Sequence, residues 1–262
     1  MPFVTRGGVK IHYTDTGGGG RAVVLGHSLF MDQEMFAAQV AALTPKYRLI
    51  AIDSRGHGLS EDDEIPFSYW DLARDAWAVL DDLGLERAVV GGTAYGSFTA
   101  VRMALLARPR VDGLILVGSS GSAMSPQRRV GYREVTDAWA GTAALAPTIK
   151  MVASLMIGGT AEDQKPWRQK WFTEDRARLR LAADCMIHRD SVLELLGDIT
   201  CPALVVRGLA DQANSPEEVA ELAAVLGNPT TVHTIAGASL TPNLTHPDEF
   251  NELVLTFLDG LP

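Results

Sequence analysis

ERAVVGGTAYGSFTAVRMALLA, residues 86–107, is the stretch from which the fold can be read. A short apolar run at residues 88–90 meets the glycine pair Gly91 and Gly92. Gly96 follows, and then Phe98, Val101, Leu105 and Leu106 recur at helical spacing. The layout is strand, tight glycine turn, helix. Gly92 and Gly96 flank a central position at the spacing G-x-S-x-G, where the central side chain stands on a strained turn and its neighbours must be small. That central residue is Ala94. A methyl group stands where the pattern carries a hydroxyl. A dinucleotide fingerprint would need glycine at 91, 93 and 96, but position 93 is Thr93. A P-loop would follow Gly96 with Lys and then Ser or Thr, and here Ser97 and Phe98 follow. On these residues alone, an ordinary glycine-rich turn between strand and helix stays open.

Working outward, residues 9–14 (VKIHYT) read as a strand, residues 17–20 as a glycine turn, and residues 22–25 as a buried strand ending at Gly26-His27-Ser28-Leu29. Residues 34–43 have helical apolar spacing, stopped by Pro45. A strand at 47–52 leads into DSRGHGLS, residues 53–60. An amphipathic helix over 69–83 closes at Gly84, and after the glycine turn and its helix comes a strand at 111–117. From 122 to about 187 only helical periodicity and loops are seen, with Trp139, Trp167, Trp171 and several methionines. Strands resume at 203–206 and 230–235, with helices over 216–226 and 247–258. Strands alternating with helices predict α/β architecture: a mostly parallel sheet covered on both faces. The helical insert is too long for an ordinary connection. It divides the chain into a core, residues 1–121 and 188–262, and a cap, residues 122–187. A cap is preferred to extra packing at the sheet edge because the insert leaves the carboxyl end of a strand, where ligands bind in such sheets.

The 262 residues suffice for one large α/β domain. Apolar residues make up 47% and charged residues 21%, which excludes a disordered chain. The net charge of −9 and the lack of a Lys/Arg cluster argue against nucleic acid as a partner. Cys185 and Cys201 lie in no ligand-spaced group, so neither a metal site nor a disulfide framework is expected, and no cofactor is called for. The N-terminal residues have no apolar leader core and no run is long enough to span a bilayer, so the expectation is a cytoplasmic protein without a membrane partner. Oligomeric state is not legible.

Several motifs now agree. The chain resembles the α/β-hydrolase superfamily over essentially its whole length, in particular the small capped esterase, lactonase and C–C hydrolase-like members. DSRGHGLS is similar to the D-x-R-G-H-G-x-S segment of that family, and GGTAYGS to its nucleophile elbow. Gly26-His27-Ser28-Leu29 is similar to the His-Gly-x loop after the third strand, with Ser28 in place of glycine. VVRGLADQANSPEE, residues 205–218, resembles the segment that presents the triad acid and places it at Asp211. IAGASLTPNLTHPDEF, residues 235–250, resembles the segment carrying the catalytic histidine, whose position is held by Leu240.

The resemblance thus implies an acid without its nucleophile or its base. An alanine methyl cannot attack a carbonyl and a leucine cannot accept a proton. Loss of either group from a triad costs on the order of a millionfold in turnover, and losing both costs little more. No other histidine clearly takes over: His246 reads as a surface or capping residue, His233 as a structural histidine in a strand, and His57 and His27 as braces of their loops. His188 is kept as a pocket candidate. What survives is backbone. The N–H groups of Tyr95 and Leu29 form the oxyanion hole that the resemblance implies, and such donors act without a nucleophile. His27, Ser28, Trp139, Trp167 and His188 are the candidates for ligand contact, the ligand being a small, largely apolar molecule. If buried beside Leu240, Asp211 would have a raised pKa and could move a proton. Three functions stay open: non-covalent chemistry such as cyclisation, elimination or isomerisation; an ester or lactone hydrolase disabled by substitution; and a ligand-binding protein without turnover.

Overall fold

The structure, a computed structural model, describes residues 2–141 and 145–262. Among them, β1 (Phe3–Arg6) and β2 (Val9–Asp15) pair antiparallel, and β2 pairs antiparallel with β4 (Arg48–Ile52). From there the sheet is parallel, running through β3 (Ala22–Gly26), β5 (Ala88–Thr93), β6 (Val111–Val117), β7 (Ala203–Gly208) and β8 (Val232–Ile235). The central strands are runs of Val, Ile and Leu because both of their faces are covered. Alternate residues feed opposite cores: Val23, Leu25, Val89, Ile115 and Val117 point one way, Val24, Val90, Leu114 and Leu116 the other. The first face is packed by α1 (Ala37–Leu43) and α10 (Pro247–Asp259), the second by α2 (Tyr69–Asp82), α3 (Tyr95–Leu106) and α8 (Pro216–Val225).

Between β6 and β7 the chain forms α4 (Pro126–Ala140), α5 (Leu145–Met156), α6 (Ala161–Thr173) and α7 (Arg180–Ile187). They bury Trp139, Ile149, Val152, Trp167, Trp171 and Ala182 against the first core. Near the C-terminus the short α9 (Pro242–Thr245) leads into α10.

Two local features differ from the sequence reading. β1 was not foreseen, because it is an edge strand whose residues stay exposed or half-buried and so carry no apolar alternation. The helix expected over 34–43 begins as a 3-10 turn, Gln33–Phe36, and becomes α only at Ala37. Asp32 sets that start: its side chain accepts from the Glu34 N–H.

Candidate functional site

β5 ends at Thr93, and Ala94 carries the turn into α3 with φ 48° and ψ −103°. A non-glycine residue rarely holds a positive φ, and a site that does so marks a constrained turn. Here the constraint is a three-way glycine contact. A Cβ on Gly96 would sit 1.9 Å from the Gly26 carbonyl oxygen, and one on Gly92 2.5 Å from the same atom. Only three bare backbones let α3 approach β3 and β5 this closely. The Ala94 N–H donates to the Val117 carbonyl at 2.8 Å, tying the turn to β6. Its methyl group lines a buried cavity of about 30 Å³.

Leu29 and Tyr95 border the same cavity, and neither of their N–H groups donates a hydrogen bond among the described residues. Tyr95 is the first residue of α3, where an N–H has no helical partner. The Leu29 loop is held by two buried imidazoles. His27 Nδ1 donates to the Ser28 carbonyl at 2.9 Å, while its Nε2 accepts from the Ser54 N–H at 2.9 Å. His57 faces two carbonyls, that of Arg55 3.0 Å from Nδ1 and that of Leu29 at Nε2, a neutral ring donating to one of the two, and it packs 4.5 Å from the ring of His27. Burial pushes the His27 pKa down to about 4 and that of His57 to about 3, so both are neutral at neutral pH. Ser28 is wholly buried; its N–H meets the Met35 sulfur and its carbonyl is used, but its hydroxyl has no partner among the described residues.

Asp211 follows β7 and is 5% exposed. Its Oδ1 accepts from the N–H groups of Ala213 at 2.7 Å and Asn214 at 3.4 Å. Its Oδ2 is buried and has no hydrogen-bond partner among the described residues. Leu240, 2% exposed, occupies the space beside it: a Cβ built on Gly118 would lie 2.4 Å from Leu240 Cδ1 and 3.5 Å from Asp211 Oδ2. The orphaned oxygen and the leucine methyl are therefore neighbours across one glycine. Burial raises the Asp211 pKa above its ordinary value, against the pull of its backbone donors, of the Arg207 guanidinium, which donates to the Asp211 backbone carbonyl at 2.9 Å, and of the Asn214 side chain.

The structure thus brings Ala94, Tyr95, Leu29, Ser28 and Leu240 to one cavity, with Asp211 against Leu240. It does not bring the other sequence-predicted contacts there. His27 lies behind the loop as a brace. Trp139 and Trp167 do not line the cavity; both pack on Trp171, with ring centroids 5.2 and 6.2 Å apart, and Trp139 also on Phe30. His188 is exposed, 3.4 Å from Arg133, and borders a separate surface cleft. The Tyr95 phenol is buried against Tyr69 and His57, and its pKa is raised well above the usual value by burial.

Arg189 and Arg128 line the cavity and were not foreseen. Arg189 is 5% exposed and stacks over Phe98 at 4.5 Å. It donates to the Ser122 carbonyl at 3.1 Å, and no carboxylate pairs with it among the described residues. Burial lowers its pKa. Arg128 instead is clamped by Glu218 at 2.9 Å and the Ala213 carbonyl. Arginines rarely lie buried unpaired, and nothing in the local sequence at 189 signals it.

The family model described as alpha/beta hydrolase fold matches residues 21–159. A 2-hydroxy-6-oxononadienedioate/2-hydroxy-6-oxononatrienedioate hydrolase of Paraburkholderia phymatum is 29% identical, over 95% of this chain and 91% of its own. A 3-oxoadipate enol-lactonase of Acinetobacter baylyi is 25% identical over 72% of this chain and 71% of its own. Among solved structures, the enol-lactonase from Burkholderia xenovorans LB400 superposes with a TM-score of 0.86 at 26% identity, covering 98% of this chain and 100% of that one.

Proposed function

This chain belongs to the α/β-hydrolase family, and from that premise we propose that it transforms a small, largely apolar molecule by proton transfer, with no covalent intermediate. The observation that carries the reading is the Asp211 Oδ2 atom. It is buried, has no hydrogen-bond partner among the described residues, and lies near Leu240, which together with Ala213 and Asn214 lines the cavity where the N–H groups of Leu29 and Tyr95 donate no hydrogen bond among the described residues. A carboxylate in such a place holds its proton more tightly than a solvated one, which suits it to general base and acid work. In the proposed step Asp211 takes a proton from the substrate. The electron pair moves onto a carbonyl oxygen, and the N–H groups of Leu29 and Tyr95 hold the developing charge. Return of the proton to another atom completes an isomerisation; ring closure or loss of a leaving group gives cyclisation or elimination. Arg189 supports a substrate that also carries an acid group, since a buried guanidinium with no carboxylate partner among the described residues favours an anion. The two curated relatives bear names of a dioate hydrolase and an adipate-type lactonase, in keeping with such a group.

A second reading is favoured by the intact frame. Ala94 retains the strained turn and the donors of Leu29 and Tyr95 are in place, as in an ester or lactone hydrolase disabled by substitution. One set of four proteins separates the readings: the unaltered chain, Ala94→Ser, Leu240→His and the double variant, screened against a library of esters, lactones and keto acids for hydrolytic and non-hydrolytic products. The single variants are expected to stay near background in hydrolysis, because a serine without a base keeps its proton and a base without a nucleophile activates nothing covalent. The double variant also stays low on the proton-transfer reading, since Leu240 is closely packed against Gly118. A gain of several orders of magnitude in the double alone would sink it in favour of the disabled hydrolase. If only the unaltered chain turns over, and Asp211→Asn abolishes that activity, the proposal holds. Binding without turnover in every protein would leave a ligand-binding role.

A further inference from the structure

Residues 209–215 join β7 to α8 and carry Asp211. The core fixes this loop at several points. The Arg207 guanidinium on β7 donates to the Asp211 carbonyl at 2.9 Å, and Asn214 Nδ2 donates to the Gly118 carbonyl at 2.8 Å. Ser215 starts α8 with a capping box: its N–H donates to Glu218 Oε2 at 2.9 Å, and its hydroxyl accepts from the Glu218 N–H at 3.2 Å.

From the insert, Arg128 reaches the same loop. It sits in the first turn of α4. One arm, Nη1, meets the two Glu218 oxygens at 2.9 and 3.2 Å, and the other, Nη2, donates to the Ala213 carbonyl. A guanidinium fork is planar and holds two acceptors in one geometry, which an ammonium does not.

The Ala213 carbonyl is a consequential acceptor. It belongs to the same planar peptide as the Asn214 N–H, and in a trans peptide the two groups point in opposite directions. That N–H faces Asp211 Oδ1 at 3.4 Å, and the neighbouring Ala213 N–H donates to the same oxygen at 2.7 Å. Arg128 therefore holds one end of a peptide whose other end meets the carboxylate. A bond accepted at the carbonyl also polarises the peptide and strengthens its N–H as a donor. The Asn214 contact is long, so its strength depends on where the peptide plane is held.

We infer that Arg128 is a positioning residue for Asp211: by gripping the Ala213 carbonyl from α4, it holds the peptide whose N–H faces the carboxylate and ties the acid loop to the insert. The value of that link for proton transfer rests on the function proposed above; the link itself does not.

The amide protons of Ala213 and Asn214, followed by NMR across pH on the full chain, test this. Amides that donate to a carboxylate shift as it titrates, so both report Asp211 in place. Arg207 is the charged side chain that acts on Asp211 directly, and it is kept in every variant. The facing segments, residues 117–121 and 238–242, carry no charged residue, and Glu217 and Glu218 are the acids of the adjoining first turn of α8. Arg128→Met keeps an aliphatic stem and removes the fork. It should raise the pH midpoint that the two amides report, because the ionised carboxylate loses part of a donor. It should also speed hydrogen exchange of the Asn214 amide roughly tenfold, the protection of one hydrogen bond, while the amides of β7 keep their rates. Glu218→Gln leaves an oxygen for the Ser215 N–H and leaves the Ala213 contact, so it should not raise the midpoint. Thermal melts check folding; should Arg128→Met not fold, Arg128→Lys is read in the same way and should move both readouts in the same direction. An unchanged midpoint in the Arg128 variant overturns the inference. An equal rise in Glu218→Gln also overturns it, since the ion pair would then be the cause. A raised midpoint with unaltered Asn214 exchange overturns it too, since only the lost positive charge would then be acting. None of these outcomes needs turnover. The proton-transfer reading is decided separately by Asp211→Asn, and it can fail while the link stands.

Discussion

Asp211 decides most at the scale of single residues. Its carboxylate has two backbone donors on Oδ1 and no hydrogen-bond partner for Oδ2 among the described residues. A buried acceptor left unmatched costs about 1–3 kcal/mol. Its folded pKa lies above the unfolded value. The sign follows: the unfolded state releases its proton first, so the stability present below the ordinary carboxylate range is lost as pH rises through the raised folded pKa. Asp211→Asn keeps the Oδ1 acceptor and does not titrate. It should therefore raise Tm by a few degrees at pH 8, with the gain shrinking towards pH 4. Melts across that range check it; a gain that is constant with pH would mean that Asp211 is not the titrating cause. His27 and His57 act in the opposite direction. Their depressed folded values give stability that is present above the ordinary histidine range and is lost as pH falls towards about 4 and about 3.

At the scale of elements, the turn between β5 and α3 depends on bare backbone. Gly26, Gly92 and Gly96 meet where β3, β5 and α3 converge, and the contact leaves no room for a methyl group. Gly96→Ala would force a Cβ to within 1.9 Å of the Gly26 oxygen, with backbone on the opposing side that cannot rotate away. The expected loss is more than about 3 kcal/mol, at the upper end of overpacking costs, and denaturant titration would show it as a lowered midpoint. Gly131→Ala is the contrast: also in a helix, but facing open space, it should gain about 0.5–1 kcal/mol. Equal effects at the two positions would mean that helix propensity, not the close approach of α3, governs both.

At the scale of the whole molecule, the loop that carries Leu29 is shared between sheet and insert. The Trp171 indole N–H on α6 donates to the Phe30 carbonyl at 2.6 Å, and Lys170 reaches Asp32 and Glu34 at the end of the same loop. The N–H of Leu29 lies in the peptide plane whose Ser28 carbonyl His27 holds, His57 holds the next carbonyl, and α6 brackets the loop from the other side. Trp171→Phe removes the indole N–H and leaves a buried carbonyl unpaired. It should cost about 2–4 kcal/mol and speed hydrogen exchange of the amides at 28–36 more than those of β5. Uniform acceleration across the sheet would show that the bond serves global stability rather than the loop.

The order of strands and helices, the glycine turn at Ala94 and the loop at His27 were legible in the sequence, because each is a local pattern in which a few neighbouring residues dictate backbone geometry. Asp211 was singled out only through such a pattern. What it lacks was not. That Oδ2 is buried, has no hydrogen-bond partner among the described residues and lies across Gly118 from Leu240 depends on three segments far apart in the chain. The same reason removed His188, Trp139 and Trp167 from the cavity and placed Arg189 in it. Tryptophan and methionine recurring at helical spacing show that a helix has a buried face, but not whether that face meets core or ligand. Burial and hydrogen-bond satisfaction are properties of the packed neighbourhood, and for these residues only the tertiary structure supplies the neighbours.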